Sequence, residues 1–547
     1  MAKLHNRRSA PVTIAVAVAL LAAACGGSSA SGDGGTANGG GSTDGEGRSD
    51  QPERVYVEAI SGDPGGLNPQ FAGGPIVTRT TFTVFESLVE ITDEYEIIPA
   101  LAHDWEFSDD GSSVTFHLEE GVTWHDGEPF TAADVVFNFD EVMTYQSFGN
   151  ALAATIGDVE APDDHTVVVE LESEYGPFLE VLSQQAIIPK HLYEGTDFLT
   201  NPYNMEPIGT GPMMFEEFKP GDELVLVRNP DWWRGETQVD KTIFTVMTDA
   251  NSRGLAMLNG ELDGAVLDPM QQSDVAAHPD LVQTDRGFFQ EMITLTLNAE
   301  QPELQDPAVR ALVFAAIDRE AVVRLSLSGL GEPAESFFPD SLGWANHPDI
   351  RFSDAYPRDI EAIKAGLDAA GYPVGDNGSR FAIDARFVST HAEAASTAEV
   401  IQASLAEVDI QVNLTGAAQP VWQEAVYTEG DFGMSILRNT AGVDPSIGFS
   451  RWLVCNPERR ALNNGSGICD EELDAAANAA VTTLRREERA PHFHDLQERA
   501  RDLIYWAPLV WTNASNQTVN ISRWKNADQI TGRTNSIPWL AMEWNGD

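Results

Sequence analysis

The chain has 547 residues, 85 Asp and Glu against 33 Lys and Arg, and a formal net charge of −52. That length exceeds what one hydrophobic core usually supports, so at least two lobes are expected, and a 42% hydrophobic composition suffices to fill them. A surface this acidic repels phosphate backbones and anionic headgroups, which argues against nucleic acid as a partner.

In chain order, Lys3, Arg7 and Arg8 precede an uncharged apolar run over residues 11–24. That run is shorter than the ~20 residues that cross a bilayer, so it predicts a secretory signal. Ala22, Ala23 and Ala24 before Cys25 resemble a bacterial lipobox, with Ala22 where leucine usually stands. Residues 1–25 are therefore expected to be a lipoprotein signal ending at a lipidated Cys25. Residues 26–50 hold 10 Gly and 5 Ser and no large apolar side chain, the composition of a flexible tether. No later run is long and apolar enough to span a membrane. The body is thus expected on the outer face of the cell membrane, held there by acyl chains.

Alternating or β-branched runs predict strands at 55–60, 114–118, 166–171, 223–228, 243–247, 293–298, 381–388 and 410–414. Thr131 with Asp134 makes a capping-box-like helix start. Asp306 and Pro307 open a helix expected to run through 308–327. Further helices are expected over 471–488 and 494–506. Mixed strands and helices imply an α/β or α+β class. Cys455 and Cys469 stand in a Gly/Asn-rich stretch, and a disulfide is the default for such a pair outside the cell. Two cysteines do not complete a tetrahedral metal shell.

The motifs of nucleophilic, nucleotide-binding and zinc chemistry are missing: no G-x-S-x-G, no phosphate loop, no H-E-x-x-H. His492 and His494, two apart on a helix, point to different faces and read as surface residues. Neither catalysis nor a metal or cofactor is expected, although two carboxylates across a cleft could still make a surface hydrolase.

An ordered set of segments resembles the family 5 solute-binding proteins of ABC importers, the oligopeptide, dipeptide and nickel group. The set begins with LNP at 67–69. It continues with Pro99 to Ala102, Trp105, Thr115 to Leu118, Gly121, Trp124, Asp126-Gly127 and Ala133 to Val135. Then come IGTGP from 208, Arg253 with NGELDGAV at 259–266, residues 297–323, 362–373 and 407–414, and Trp422. Read physically, Gly209, Gly211 and Pro212 suit a close backbone approach, and Trp105, Phe116 and Trp124 suit a core. Asp126-Gly127 suits a hairpin turn.

The resemblance implies a two-lobed, type II, cluster C clamshell. Lobe one would take 51–297 and 505–547, with an extra subdomain over about 75–205, and lobe two 298–504. It also implies a monomer that closes on a small solute, most often a peptide, and delivers it to a permease and its ATPases. Oligosaccharides, opines and metal chelates are alternative solutes. Peptide binders carry an aspartate three residues before an acidic-Pro pair, facing the peptide amine. Here that position, before Asp444-Pro445, is Ala441, and three residues earlier stands Arg438. In a closed cleft Arg438 is a fork for carboxylate or phosphate; it is equally suited to a structural ion pair. The candidate pocket is Arg438, Asn439, Thr440, Ala441 and Trp422, facing Gly66, Leu67, Asn68 and Phe71. Trp422 reads either as a stacking platform or as core.

Overall fold

The computed structural model describes residues 52–92, 94–146, 149–267, 269–275, 277–284, 291–512, 517–529 and 536–545. The signal, Cys25 and the tether lie outside these residues. The folded body is the unit Glu53–Asp547.

The body opens on β1 (Val55–Ile60), followed by a turn-rich loop and α1 (Pro75–Thr81). The chain then leaves for a four-stranded antiparallel sheet of β2 (Ala102–Phe107), β3 (Ser113–Leu118), β4 (Ile156–Asp163) and β5 (Thr166–Leu171), ordered β2-β3-β5-β4. Val114, Phe116 and Leu118 alternate inward on β3, and Val167 and Val169 on β5, as strands with one buried face require. Between them α2 (Ala132–Phe137) starts on the expected box: the Thr131 N–H donates to Asp134 while Asp134 returns the cap. With α3 (Phe178–Leu182) these elements enclose a core of their own, called the subdomain below.

The main sheet resumes with β6 (Met213–Lys219), β7 (Glu223–Arg228), β8 (Lys241–Val246), α4 (Ala250–Leu258), β9 (Gly264–Val266) and β10 (Leu281–Gln283). Next come β11 (Glu291–Leu297), α5 (Pro307–Ala316), α6 (Arg319–Ser326), β12 (Gly331–Pro333) and α7 (Ile360–Ala369). The chain goes on through β13 (Ala382–Val388), α8 (Ala392–Ala406), β14 (Gln411–Ala417), α9 (Gln419–Gln423), β15 (Met434–Thr440) and α10 (Pro445–Gly448). It ends through α11 (Glu471–Val481), α12 (Arg486–Leu503), β16 (Trp506–Thr512) and β17 (Gln517–Asn520).

Two large sheets result, β10-β17-β9-β1-β8-β7-β6 and β12-β16-β11-β15-β13-β14. The chain passes between them twice, from β10 to β11 and from β16 to β17. The boundaries expected from sequence put 291–297 and 506–512 in lobe one, whereas β11 and β16 are hydrogen-bonded into the second sheet. β11 pairs antiparallel with β15 and β16 over its length, and that pairing puts it in lobe two. Alternation identifies a strand; only the partner identifies its sheet.

The helix expected over 308–327 breaks in two. Ile317 is extended, and the Asp318 carboxylate accepts from the Ala321 N–H to start α6. Likewise α11 stops at Val481, and Arg486 to Glu488 begin α12. Cys455 and Cys469 are bonded, their Cα atoms 4.4 Å apart.

Candidate functional site

Topology decides which loops border the space between the lobes. β1, β9 and β10 run parallel, since β9 and β10 are both antiparallel to β17. The chain leaves lobe one from the C-terminal end of β10, so the loop after β1, residues 61–74, stands at that same end. In lobe two the chain enters at Glu291 and leaves at Thr512, which are register partners, and Glu291 also faces Thr440. β13 runs parallel to β15, so the C-terminal ends of both share this edge. Such strand ends are where open α/β sheets place their ligands.

Register then assembles a charged cluster on the lobe-two edge. Arg438 is paired with Ile293, which makes Glu291, two residues along, its diagonal same-face neighbour. The Arg438 guanidinium grips Glu291 through Nη2, 2.6 Å from both carboxylate oxygens, and through Nε at 3.2 Å. Its Nη1 lies 3.7 Å from the Glu393 carboxylate. Glu393 sits in the first turn of α8, where a negative charge suits the helix dipole. Asn439, paired with Met292, reaches diagonally to donate to the Thr294 hydroxyl at 3.0 Å. His391 precedes α8; burial pushes its pKa down, the Arg438 cation adds to this, and Glu393 and Glu291 oppose it. The ring is therefore neutral at neutral pH.

Arg438 thus stands at the expected edge, but two carboxylates of the protein clasp it. An incoming anion would meet both. At 4 Å each like-charge pair costs about 4 kcal/mol at an effective dielectric of 20, against one attraction of the same size. Glu291 and Glu393 were missed in the sequence because one acid among 85 carries no signal until its strand register is known.

The other candidates divide. Thr440 is exposed at the edge. Trp422 is 1% exposed, set against Tyr427 in the lobe-two core, so its ring offers no stacking face. Ala441 is wholly buried in the same core. Asn68 is 1% exposed and holds its own loop: its amide donates to the Tyr193 hydroxyl at 2.9 Å, and its side-chain oxygen accepts from the Gln70 N–H. Gly66 and Leu67 are buried beside it. Phe71 is half-buried, edge-on to the exposed Tyr145 and tilted against Tyr193 and Phe198. Asp444 caps α10 through the Ser446 N–H and pairs with Arg489 at 2.7 Å, both side chains 1% exposed. Its carboxylate faces lobe two's own arginine.

Residues 96–459 match the family described as bacterial extracellular solute-binding proteins, family 5 Middle. The chain is 28% identical over 449 residues to the nickel-binding periplasmic protein of Escherichia coli (strain K12), spanning 78% of this chain and 83% of that protein. It is 28% identical over 396 residues to the dipeptide-binding protein of the same strain, 66% of this chain and 71% of that protein. Its fold is similar to that of the ABC transporter substrate binding protein CtaP from Listeria monocytogenes. The TM-score is 0.79 at 22% identity, covering 91% of this chain and 100% of that one.

Proposed function

This chain belongs to the bacterial extracellular solute-binding proteins of family 5 and has the two-lobed type II, cluster C fold; on that premise we propose that the solute it captures carries a positive group and is a peptide with a free amino end. The supporting observation is the composition of the lobe-two edge. Among the described residues there, Glu291 and Glu393 flank the single guanidinium of Arg438, and His391 is neutral. Among the described residues the edge holds two carboxylates and one guanidinium. An ammonium beside Glu393, which stands 3.7 Å from Arg438 outside its hydrogen-bonded grip, would form a charge-assisted pair. This reading replaces recognition of an anion by Arg438. It also offers a substitute for the carboxylate missing at Ala441.

The rest of the proposal follows the family's task. The receptor sits outside the membrane on a lipidated Cys25, works as a monomer, and hands its solute to a permease and its ATPases without altering a covalent bond. Similarity to a dipeptide-binding protein favours a peptide, and similarity to a nickel-binding protein keeps a chelate as the alternative.

The test is thermal unfolding against free-amine di- to pentapeptides, their N-acetylated forms, and anionic solutes. A ligand at a hundred times its Kd stabilises by about 2.7 kcal/mol. Free-amine peptides should raise the melting temperature, and acetylation or Glu393→Gln should remove most of that rise. A shift that survives both changes, or one seen only with anions, rejects the cationic reading.

A further inference from the structure

The subdomain and lobe two meet along a seam built by α3 and the turn at Tyr95, between the paired strands Val89–Ile91 and Ile97–Pro99, on one side and by α10, α11 and α12 on the other. Its backbone approach is close. The Gly176 N–H donates to the Val481 carbonyl at 2.6 Å. A Cβ on Gly176 would stand 2.5 Å from both the Thr483 carbonyl oxygen and Arg489 Nε, closer than side chains tolerate. Apolar packing also crosses the seam: Tyr95 and Ile97 join the lobe-two core, while Ile447 and Val481 rest on the subdomain core.

The charges along it are divided between the lobes. Arg486, first residue of α12, donates to the Tyr95 carbonyl at 2.6 Å and to Glu180 of α3 at 3.3 Å. Its Nη1 lies 3.5 Å from Glu96. Glu180 is 6% exposed and lies within range of the Asp444–Arg489 pair. Asp444 Oδ2 is buried with no hydrogen-bond partner among the described residues. The Tyr95 hydroxyl reaches the Gly442 carbonyl at 3.4 Å. Asp444 and Arg489 neutralise one another within lobe two whether or not the seam is closed. Glu180 and Arg486 do so only across it. Parting the seam leaves a negative charge on the subdomain and a positive one on lobe two, each aimed at the other.

We propose that Glu180 and Arg486 form a latch between the subdomain and lobe two, seated by the glycine at 176, which holds the lobes together in the absence of solute. The latch shares no residue with the Glu291–Arg438–Glu393 cluster and does not depend on which solute binds there. It sets how much of the free receptor is already closed, and so scales affinity for every solute alike, because apparent affinity falls with the fraction of the competent state.

The experiment uses the purified full chain with no solute, so its outcome does not depend on the peptide reading. Amide hydrogen exchange reads the Gly176 N–H, and small-angle scattering reads the radius of gyration. Glu180→Gln and Arg486→Met should each speed exchange at Gly176 about tenfold, the loss expected of one hydrogen bond between charged groups. The double variant should exchange no faster than either single one, because the two act as a pair. Gly176→Ala should wedge the seam and enlarge the radius of gyration. If that variant does not fold, the two charge variants decide the matter. Exchange at Gly176 that is unaffected by Glu180→Gln and Arg486→Met, or additive effects in the double variant, overturns the latch.

Discussion

His125 shows how one side chain couples its lobe to pH. Its Nδ1 accepts from the Gly209 N–H at 3.2 Å, so the proton stands on Nε2, which donates to the Gly211 carbonyl at 2.9 Å. Protonation of Nδ1 would break the first bond. Burial is the main cause that pushes the imidazole down to about 4, against the upward pull of the Gly211 bond and Asp126. A group depressed in the folded state contributes stability that is full above its unfolded value of about 6.5 and is lost as pH falls through about 4. His125→Asn should therefore cost about 1–3 kcal/mol at pH 7.5 and much less at pH 4.5, measured as the difference in urea midpoints. A gap that does not change with pH would show that the ring's proton plays no part. At the same scale, Arg438 has two readings in the sequence, anion fork and ion pair. The choice rests on Glu291 and Glu393, which lie 147 and 45 residues away along the chain.

At the scale of elements, the turn at Gly209 and Gly211 carries the subdomain back to the main sheet. A Cβ at Gly209 would lie 1.9 Å from the Val84 carbonyl oxygen, and one at Gly211 would lie 2.7 Å from the same atom. The obstacle is backbone, which cannot rotate aside. Gly209→Ala is expected to destabilise by about 3 kcal/mol or more in chemical denaturation. Gly73→Ala, with nothing within 4 Å, should stay within about 0.5 kcal/mol. Equal effects at the two positions would refute the close-approach account. The glycine-rich stretches around 73 and 209 look alike in sequence, and only the packed neighbour separates them. The same holds for the helix break at Ile317: Asp318 is a good cap, but the uninterrupted apolar spacing through 309–323 hides it.

For the whole molecule, the lobes, the disulfide and the expected anchor divide the work. Closing the loop between Cys455 and Cys469, 14 residues apart, is worth roughly 3 kcal/mol in the chain-entropy picture and stiffens the segment leading from α10 to α11. The proposed lipid on Cys25 would hold the receptor at the membrane that carries its permease. Cys25→Ala should release the protein from the membrane fraction into the soluble fraction while its melting temperature and solute binding stay the same. Retention of the variant in washed membranes would count against lipidation at Cys25.

The strands near 114–118, 166–171, 223–228 and 381–388, the capping box at Thr131, the core tryptophan at 124 and the family itself were legible along the chain, because each is fixed by local pattern: period-two burial, one cap and its third neighbour, an ordered set of short motifs. The sheet to which β11 and β16 belong, the burial of Trp422 and Asn68, and the partners of Arg438 and Glu180 came only with the tertiary structure. Each of these depends on which distant strand or helix comes to lie alongside, and sequence spacing carries no record of that.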